Sequence, residues 1–252
     1  MKAEVILLYT DRPILINNAL RSIDSNRRNG GRFHISVIDD STAKYGVIKH
    51  IMWKKYRELY KLSSFFEIKD TLEDKIKRGD SIFGKYATEA IRASESDFVI
   101  ILCDDDALFP NYIKELSDYY QKNPSVFWSW CSVSIYDPSK HNWDIIKKTE
   151  KNVKNEFVHT DTFLNDKIGT INPCNRKDSS QVTFRVKTFN YFDISFLSQK
   201  TANLDAHLYN DINSKIGPTC HQNDIMGQFK GIYPDQLGNR QNSPAKFLPN
   251  TN

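Results

Sequence analysis

Cysteines are few in this 252-residue sequence, and they are scattered. Cys103, Cys131, Cys174 and Cys220 show none of the paired spacing of a metal site and read as free thiols of a reducing compartment. Apolar runs of membrane-spanning length are absent, so no transmembrane segment is expected. The opening MKAEVILLYTDRP lacks the long apolar core and small-residue cleavage site of a signal peptide, so a soluble, cytoplasmic protein is expected. There is no internal repeat and no clear linker. Neither sign of charge dominates: 35 Lys and Arg against 31 Asp and Glu leave +4, which permits a polyanionic partner without requiring one. A hydrophobic share of 39% with 26% charged residues excludes a disordered chain and suits one sizeable domain, or a domain with an appended lobe.

Strands and helices alternate along the first half. Val5 to Tyr9 is a continuous apolar run, as a strand buried on both faces requires. Pro13 suits the first turn of a helix, since its φ is fixed and its missing N–H needs no partner there. Leu15, Ile16, Ala19, Leu20 and Ile23 follow at helical spacing, and Gly30-Gly31 closes the unit. Phe33 to Ile38, Phe65 to Ile68 and Phe98 to Leu102 read as further strands. Ile48, Ile51, Met52, Tyr56 and Leu59 mark a second helix; Phe83, Tyr86, Ala87, Ala90 and Ile91 mark a third. Pro110 opens a fourth, with Ile113, Leu116 and Tyr120 on its apolar face. This alternation predicts an α/β three-layer sandwich around a mostly parallel central sheet. Beyond it, Val126 to Tyr136 reads as a long strand or bent ribbon, residues 137–155 as a polar loop and Val182 to Val186 as a strand. Leu204, Leu208 and Ile212 fit one helical face. The expected organisation is one domain with a first half over 1–125, a second over 126–233 and an irregular tail over 234–252.

Parallel strands bring their carboxyl ends to one edge, where open α/β sheets bind ligands. Three such ends carry polar clusters here: Thr10-Asp11-Arg12, Asp39-Asp40-Ser41 and Asp104-Asp105-Asp106. Consecutive carboxylates beside an apolar core repel one another and lose solvation. A hard divalent ion, Mn²⁺ or Mg²⁺, relieves that cost and bridges a diphosphate. The triplet therefore reads as a nucleoside-diphosphate site, with a solvated acidic turn before the Pro110 helix as the alternative. Asp39-Asp40 suits an ordinary turn equally well. The turn after Tyr9 contains no glycine, which argues against the phosphate-cradling loop of a nucleotidyltransferase that makes nucleotide sugars. That enzyme class and a non-catalytic nucleotide- or sugar-binding module are the two alternatives. The Lys-rich stretch Lys147 to Lys154 reads as a solvated loop, with contact to nucleic-acid phosphates as the alternative.

Three blocks together resemble glycosyltransferase family 2 and its GT-A relatives: Val5 to Ile23 with its Asp11-Arg12-Pro13 turn, Ser36 to Thr42, and Ala90 to Pro110. They span most of the first 120 residues. The resemblance implies a GT-A (Rossmann-like) fold and sugar transfer from a nucleoside-diphosphate donor, UDP-sugar above all, with inversion. It implies that Tyr9, Thr10 and Asp11 line the nucleotide pocket, that Asp39 accepts a hydrogen bond from the base, and that Asp40 supports that turn. Asp104 then stands near the ribose, Asp105 is the direct metal ligand and Asp106 a second one, with Cys103 where many members carry the first Asp. Lys85 and Thr88 lie on the helix that often faces the diphosphate; an exposed helix face is the other reading of both. Asn203 to Leu208 resembles the acceptor-side acidic motif, which makes Asp205 the general base, with Asp193 and Asp211 as rivals; a dipole-favoured Asp at a helix start is the plainer reading. His221 sits where relatives place a histidine near the metal. The acceptor is left open among glycans, lipid-linked sugars, proteins and hydroxylated nucleic acid, and the oligomeric state is not specified.

Overall fold

The computed structural model describes residues 1–10, 12–40, 46–69, 83–136, 168–170, 182–196, 208, 211–212, 214–217 and 219–231. The apolar runs form the strands β1 (Ala3–Tyr9), β2 (Phe33–Asp39), β3 (Ser64–Glu67) and β4 (Phe98–Cys103). The helices between and beyond them are α1 (Pro13–Arg28), α2 (Gly46–Tyr60), α3 (Gly84–Arg92) and α4 (Tyr112–Lys122). Then come β5 (Ala107–Leu108), β6 (Trp128–Tyr136), β7 (Ile168–Thr170), β8 (Val182–Arg185), α5 (Val186–Tyr191) and β9 (Thr219–Gly231). Among the described residues, all nine strands share one sheet, in the order β3-β2-β1-β4-β8-β6-β9-β5, with β7 on β9.

The expected α/β fold is present. The four strands β3, β2, β1 and β4 are parallel, and helices connect them. β8 runs antiparallel to both β4 and β6, and β9 lies parallel to β6. β6 is the bent ribbon expected from its sequence, with register shifts on either side of Ser132. Two elements differ from the expected bounds. Pro110 and Asn111 form a turn, and α4 starts only at Tyr112. Val186 starts α5 rather than ending a strand, and its buried side chain lies one turn from that of the buried Phe189. The predicted loop 137–155 and tail 234–252 lie outside the described residues.

Period-two alternation divides the core into two layers. Val5, Leu7 and Tyr9, with Ile35, Val37, Phe98, Ile100 and Leu102, pack against α1, α2 and α4. Ile6 and Leu8, with Ile38, Val99 and Ile101, pack against α3, α5, Leu208 and Ile212. Burying each such Val, Leu or Ile contributes roughly 1.5–3 kcal/mol.

Polar side chains fix the segment that leaves the end of β4. Ser22 and Asn26 stand one turn apart on the buried face of α1. The Ser22 Oγ accepts the Leu108 N–H at 3.0 Å. Asn26 donates to the Phe109 carbonyl at 2.8 Å and accepts the Ile113 N–H at 3.0 Å, which supplies a partner to an otherwise orphaned donor at the start of α4. From the other side, the Phe109 N–H donates to the Gly227 carbonyl at 3.0 Å. Glycine is required at 227 because a Cβ there would lie 2.2 Å from the Cys131 Sγ and 3.0 Å from the Tyr112 ring. β8 pairs with residues 98–100 of β4. Above them the Gln228 side chain takes over, donating to the Ile101 carbonyl at 2.8 Å.

Candidate active site

Strand register assembles the three polar strand ends on one edge. Tyr9 pairs with Asp39, Asp39 with Glu67, and Leu8 with Cys103. Asp104 therefore stands level with Tyr9, Asp39 and Glu67. The ladder extends one step further on each side of β1: the Asp104 N–H reaches the Leu8 carbonyl and the Asp40 N–H the Tyr9 carbonyl, both at 2.9 Å.

Asp104, Asp105 and Asp106 are all buried. The Asp104 Oδ2 accepts the Thr10 N–H at 2.8 Å, which ties β1 to the acidic turn. The Asp106 N–H donates to the Cys103 carbonyl at 3.1 Å and closes that turn. Arg12 lies over the cluster. Its Nη1 faces the Asp104 Oδ1 at 3.4 Å and pairs with the Asp105 Oδ2, while its Nη2 donates to the Thr10 Oγ1 at 2.9 Å. Burial alone would lower the pKa of Arg12, but Asp104 and Asp105 beside it hold it above its ordinary value. Burial pushes the Asp104 carboxyl up to about 8. Arg12 and the Thr10 N–H favour its ionised form, and repulsion from Asp105 and Asp106 works against them.

Asp39 is fully buried at the end of β2. Its Oδ2 accepts the Trp53 Nε1–H at 2.7 Å and pairs with the Lys49 Nζ at 3.2 Å. Lys49 also reaches the Glu67 Oε1 at 3.0 Å. Burial opposes the Lys49 charge, but the hydrogen bonds to Glu67 and Asp39 raise its pKa overall. Trp53 meets the Tyr9 ring edge-on, with centroids 5.2 Å apart. Lys49 and Trp53 lie one turn apart on α2, the i, i+4 spacing that presents both to one neighbour. Neither residue stands out from the sequence pattern as core or site; a Lys-x-x-x-Trp face following an acidic strand end is the signal that could have found them.

Of the remaining residues singled out from sequence, Lys85, Thr88, Asp193, Asp211 and His221 are described. Lys85 is exposed on α3, its ammonium 5.5 Å from the centre of the Tyr86 ring. Thr88 is buried and bonded within the fold, donating to the Gly84 carbonyl and accepting the Phe196 N–H. Asp11 and Asp205 lie outside the described residues. Asp193 pairs with Arg92 at an exposed turn, and the Asp211 carboxylate accepts the Ser195 N–H at 2.6 Å and the Lys215 ammonium at 3.1 Å. His221 stands in the row Ile100–Thr183–Ser129–His221. That row is about 13 Å below Asp104 along the strands, so the register does not bring its backbone to the acidic turn.

The donor set at the turn fits a divalent cation. One ligand atom from each of Cys103, Asp105 and Asp106 lies within 4.8 Å of the others. Three buried carboxylates stand side by side at the turn, the Arg12 guanidinium lies against two of them, and carboxylate oxygens are the ligands a hard cation takes. Asp105 and Asp106 are the oxygen donors of that set, and the Cys103 thiol is a softer third. Among the described residues, Cys103 and Cys131 are free of disulfides, and no helix is long and apolar enough to cross a membrane.

No protein-family model matches the chain, and no curated protein does. Solved structures do. The crystal structure of TarS from S. aureus, a glycosyltransferase, aligns with 98% of this chain and 41% of its own at 15% identity and a TM-score of 0.57. TarS 1–349 in complex with UDP aligns over 93% of this chain and 61% of its own, at 15% identity and a TM-score of 0.57. For TarS 1–349 in complex with UDP-GlcNAc the shares are 92% and 59%, at 14% identity and a TM-score of 0.57. This chain thus spans less than two thirds of each of these proteins, and at such identities the likeness is one of fold: a mixed α/β, Rossmann-like architecture.

Proposed function

We propose that this chain transfers a sugar from a nucleoside-diphosphate donor, a UDP-sugar, to an acceptor hydroxyl, with a divalent metal ion and with inversion at the anomeric carbon. The observation that carries the reading is the row Glu67–Asp39–Tyr9–Asp104 with the buried acidic turn at its end. The fold likeness to TarS, whose structures hold UDP and UDP-GlcNAc, supports it. Tyr9, Thr10, Asp11, Asp39 and Asp40 line the nucleotide side, with Asp39 held by Trp53 and Lys49 against the base and Asp104 near the ribose. Asp105 and Asp106 hold Mn²⁺ or Mg²⁺. When bound there, the ion supplies charge compensation to the departing diphosphate. Asp205 accepts the proton of the acceptor hydroxyl as that oxygen attacks. The acceptor is a glycan or another hydroxyl compound, hydroxylated nucleic acid included.

Calorimetric titration of UDP with and without Mn²⁺, on wild type and Asp105→Ala, tests this. The expected result is metal-dependent binding that vanishes in the variant. Failure of every nucleoside diphosphate to bind under either condition would overturn the reading. Asp205→Asn separates binding from chemistry: UDP affinity should persist while transfer falls about 10²–10⁴-fold, the usual contribution of a general base.

A further inference from the structure

Arg12 links the end of β1 to the acidic turn through three different residues: Thr10, Asp104 and Asp105. Its side chain is only 9% exposed, yet its buried Nε–H has no hydrogen-bond partner among the described residues. A buried donor without an acceptor is costly, and it is costlier on a charged group. Arg12 and the cation-binding group also draw on the same carboxylate, since Asp105 pairs with the guanidinium and belongs to the Cys103–Asp105–Asp106 set.

The geometry points to Arg12 as the diphosphate-binding residue of the donor site, held against Asp105 until a divalent cation takes that carboxylate. This assignment rests on the donor-site reading above. The released guanidinium turns its Nε–H and Nη1 to phosphate oxygens, which match its planar fork. Cation and nucleotide then bind with positive coupling, because the cation displaces Arg12 from an acid and the nucleotide gives it a new acceptor. A residue that only neutralised the acidic turn would leave nucleotide affinity untouched once a cation did that work.

The test compares wild type, Arg12→Gln and Arg12→Lys in two titrations: Mn²⁺ alone, followed by the electron paramagnetic resonance signal of free Mn²⁺, and UDP at saturating Mn²⁺, followed by calorimetry. In Arg12→Gln, Mn²⁺ alone should bind about three- to tenfold tighter, since a neighbouring positive charge is gone. UDP should bind about tenfold or more weakly, since charge-assisted phosphate bonds are lost. Arg12→Lys keeps the charge but loses the fork; its Mn²⁺ affinity should stay within about twofold while UDP weakens. Circular dichroism checks folding, and if Arg12→Gln fails to fold, Arg12→Lys carries the test. UDP affinity that is unchanged or improved in the folded variants would overturn the assignment while leaving the donor site standing. A wild type that binds neither Mn²⁺ nor UDP would overturn the donor-site reading itself, and this assignment with it.

Discussion

Replacing Asn26 by alanine removes an amide that serves three backbone groups: the Phe109 and Ser22 carbonyls and the Ile113 N–H. The Ser22 carbonyl lies inside α1 and keeps its helical N–H partner. The Phe109 carbonyl keeps the Tyr112 N–H at 3.2 Å and loses one hydrogen bond, about 0.5–1.5 kcal/mol, whereas the Ile113 N–H is left buried without its partner, at about 1–3 kcal/mol. Alanine returns roughly half a kcal/mol through its better helix propensity. The net loss is therefore about 1–4 kcal/mol, a sizeable share of the roughly 5–15 kcal/mol typical of a domain. Urea unfolding followed by far-ultraviolet circular dichroism measures it as a lower midpoint at unchanged slope. Because the segment carrying Phe109 and Ile113 comes directly after the acidic turn, UDP affinity in Mn²⁺ should fall in the same variant. Asn26→Asp keeps an acceptor for the Ile113 N–H, placed favourably at the start of α4, and loses the donations to the Phe109 and Ser22 carbonyls, each of which keeps a backbone donor. It should show about half the loss. A midpoint in Asn26→Ala equivalent to less than about 0.5 kcal/mol would refute the idea that α1 holds the acidic turn through its polar face, because that is the ordinary scatter of surface substitutions.

Two further substitutions probe the supports of the site. Gly227→Ala places a methyl group into the Cys131 sulfur, 2.2 Å away. It should lower the melting temperature by several degrees, corresponding to about 1–3 kcal/mol of overpacking; a wild-type melt would mean that β9 shifts freely. Trp53→Phe keeps an aromatic ring against Tyr9 but removes the 2.7 Å donor to the buried Asp39 carboxylate. Stability should drop by about 1.5–3 kcal/mol, the worth of a hydrogen bond to a charged group, and UDP affinity with it. No change in either quantity would detach Asp39 from the nucleotide pocket.

The parallel half of the fold is legible in the sequence because β1 and β4, buried on both faces, carry unbroken apolar runs, and β2 is apolar at most of its positions. Val5 to Tyr9, Phe33 to Ile38 and Phe98 to Leu102 each stop at a polar cluster, and those clusters meet at one edge as the topology requires. β9 is not legible. Its buried positions include Asn223, Ile225, Gly227, Gln228 and Phe229, and polar residues and a glycine there hide the alternation. β5, with two residues, is too short to leave a pattern. At the site, the sequence names the carboxylates but not their partners. Which cation meets Asp105, and which indole meets Asp39, depends on the angle at which α1 and α2 leave the sheet. Ser22 and Asn26 look like solvent-facing residues between Ile16, Leu20 and Ile23, and only the packing of the Phe109 segment onto α1 makes them structural.

The acidic turn draws almost all of its support from remote chain: Thr10 is 94 residues from Asp104, Asn26 is 83 residues from the Phe109 it holds, and Gln228 is 127 residues from Ile101. Contacts of such sequence separation form only when most of the chain has closed. The turn has little local stability, and its shape is a readout of the whole fold. Injury to activity is thus to be sought in distant substitutions as much as in the aspartates themselves, since a loosened β9 or α1 reaches the turn as a change of geometry.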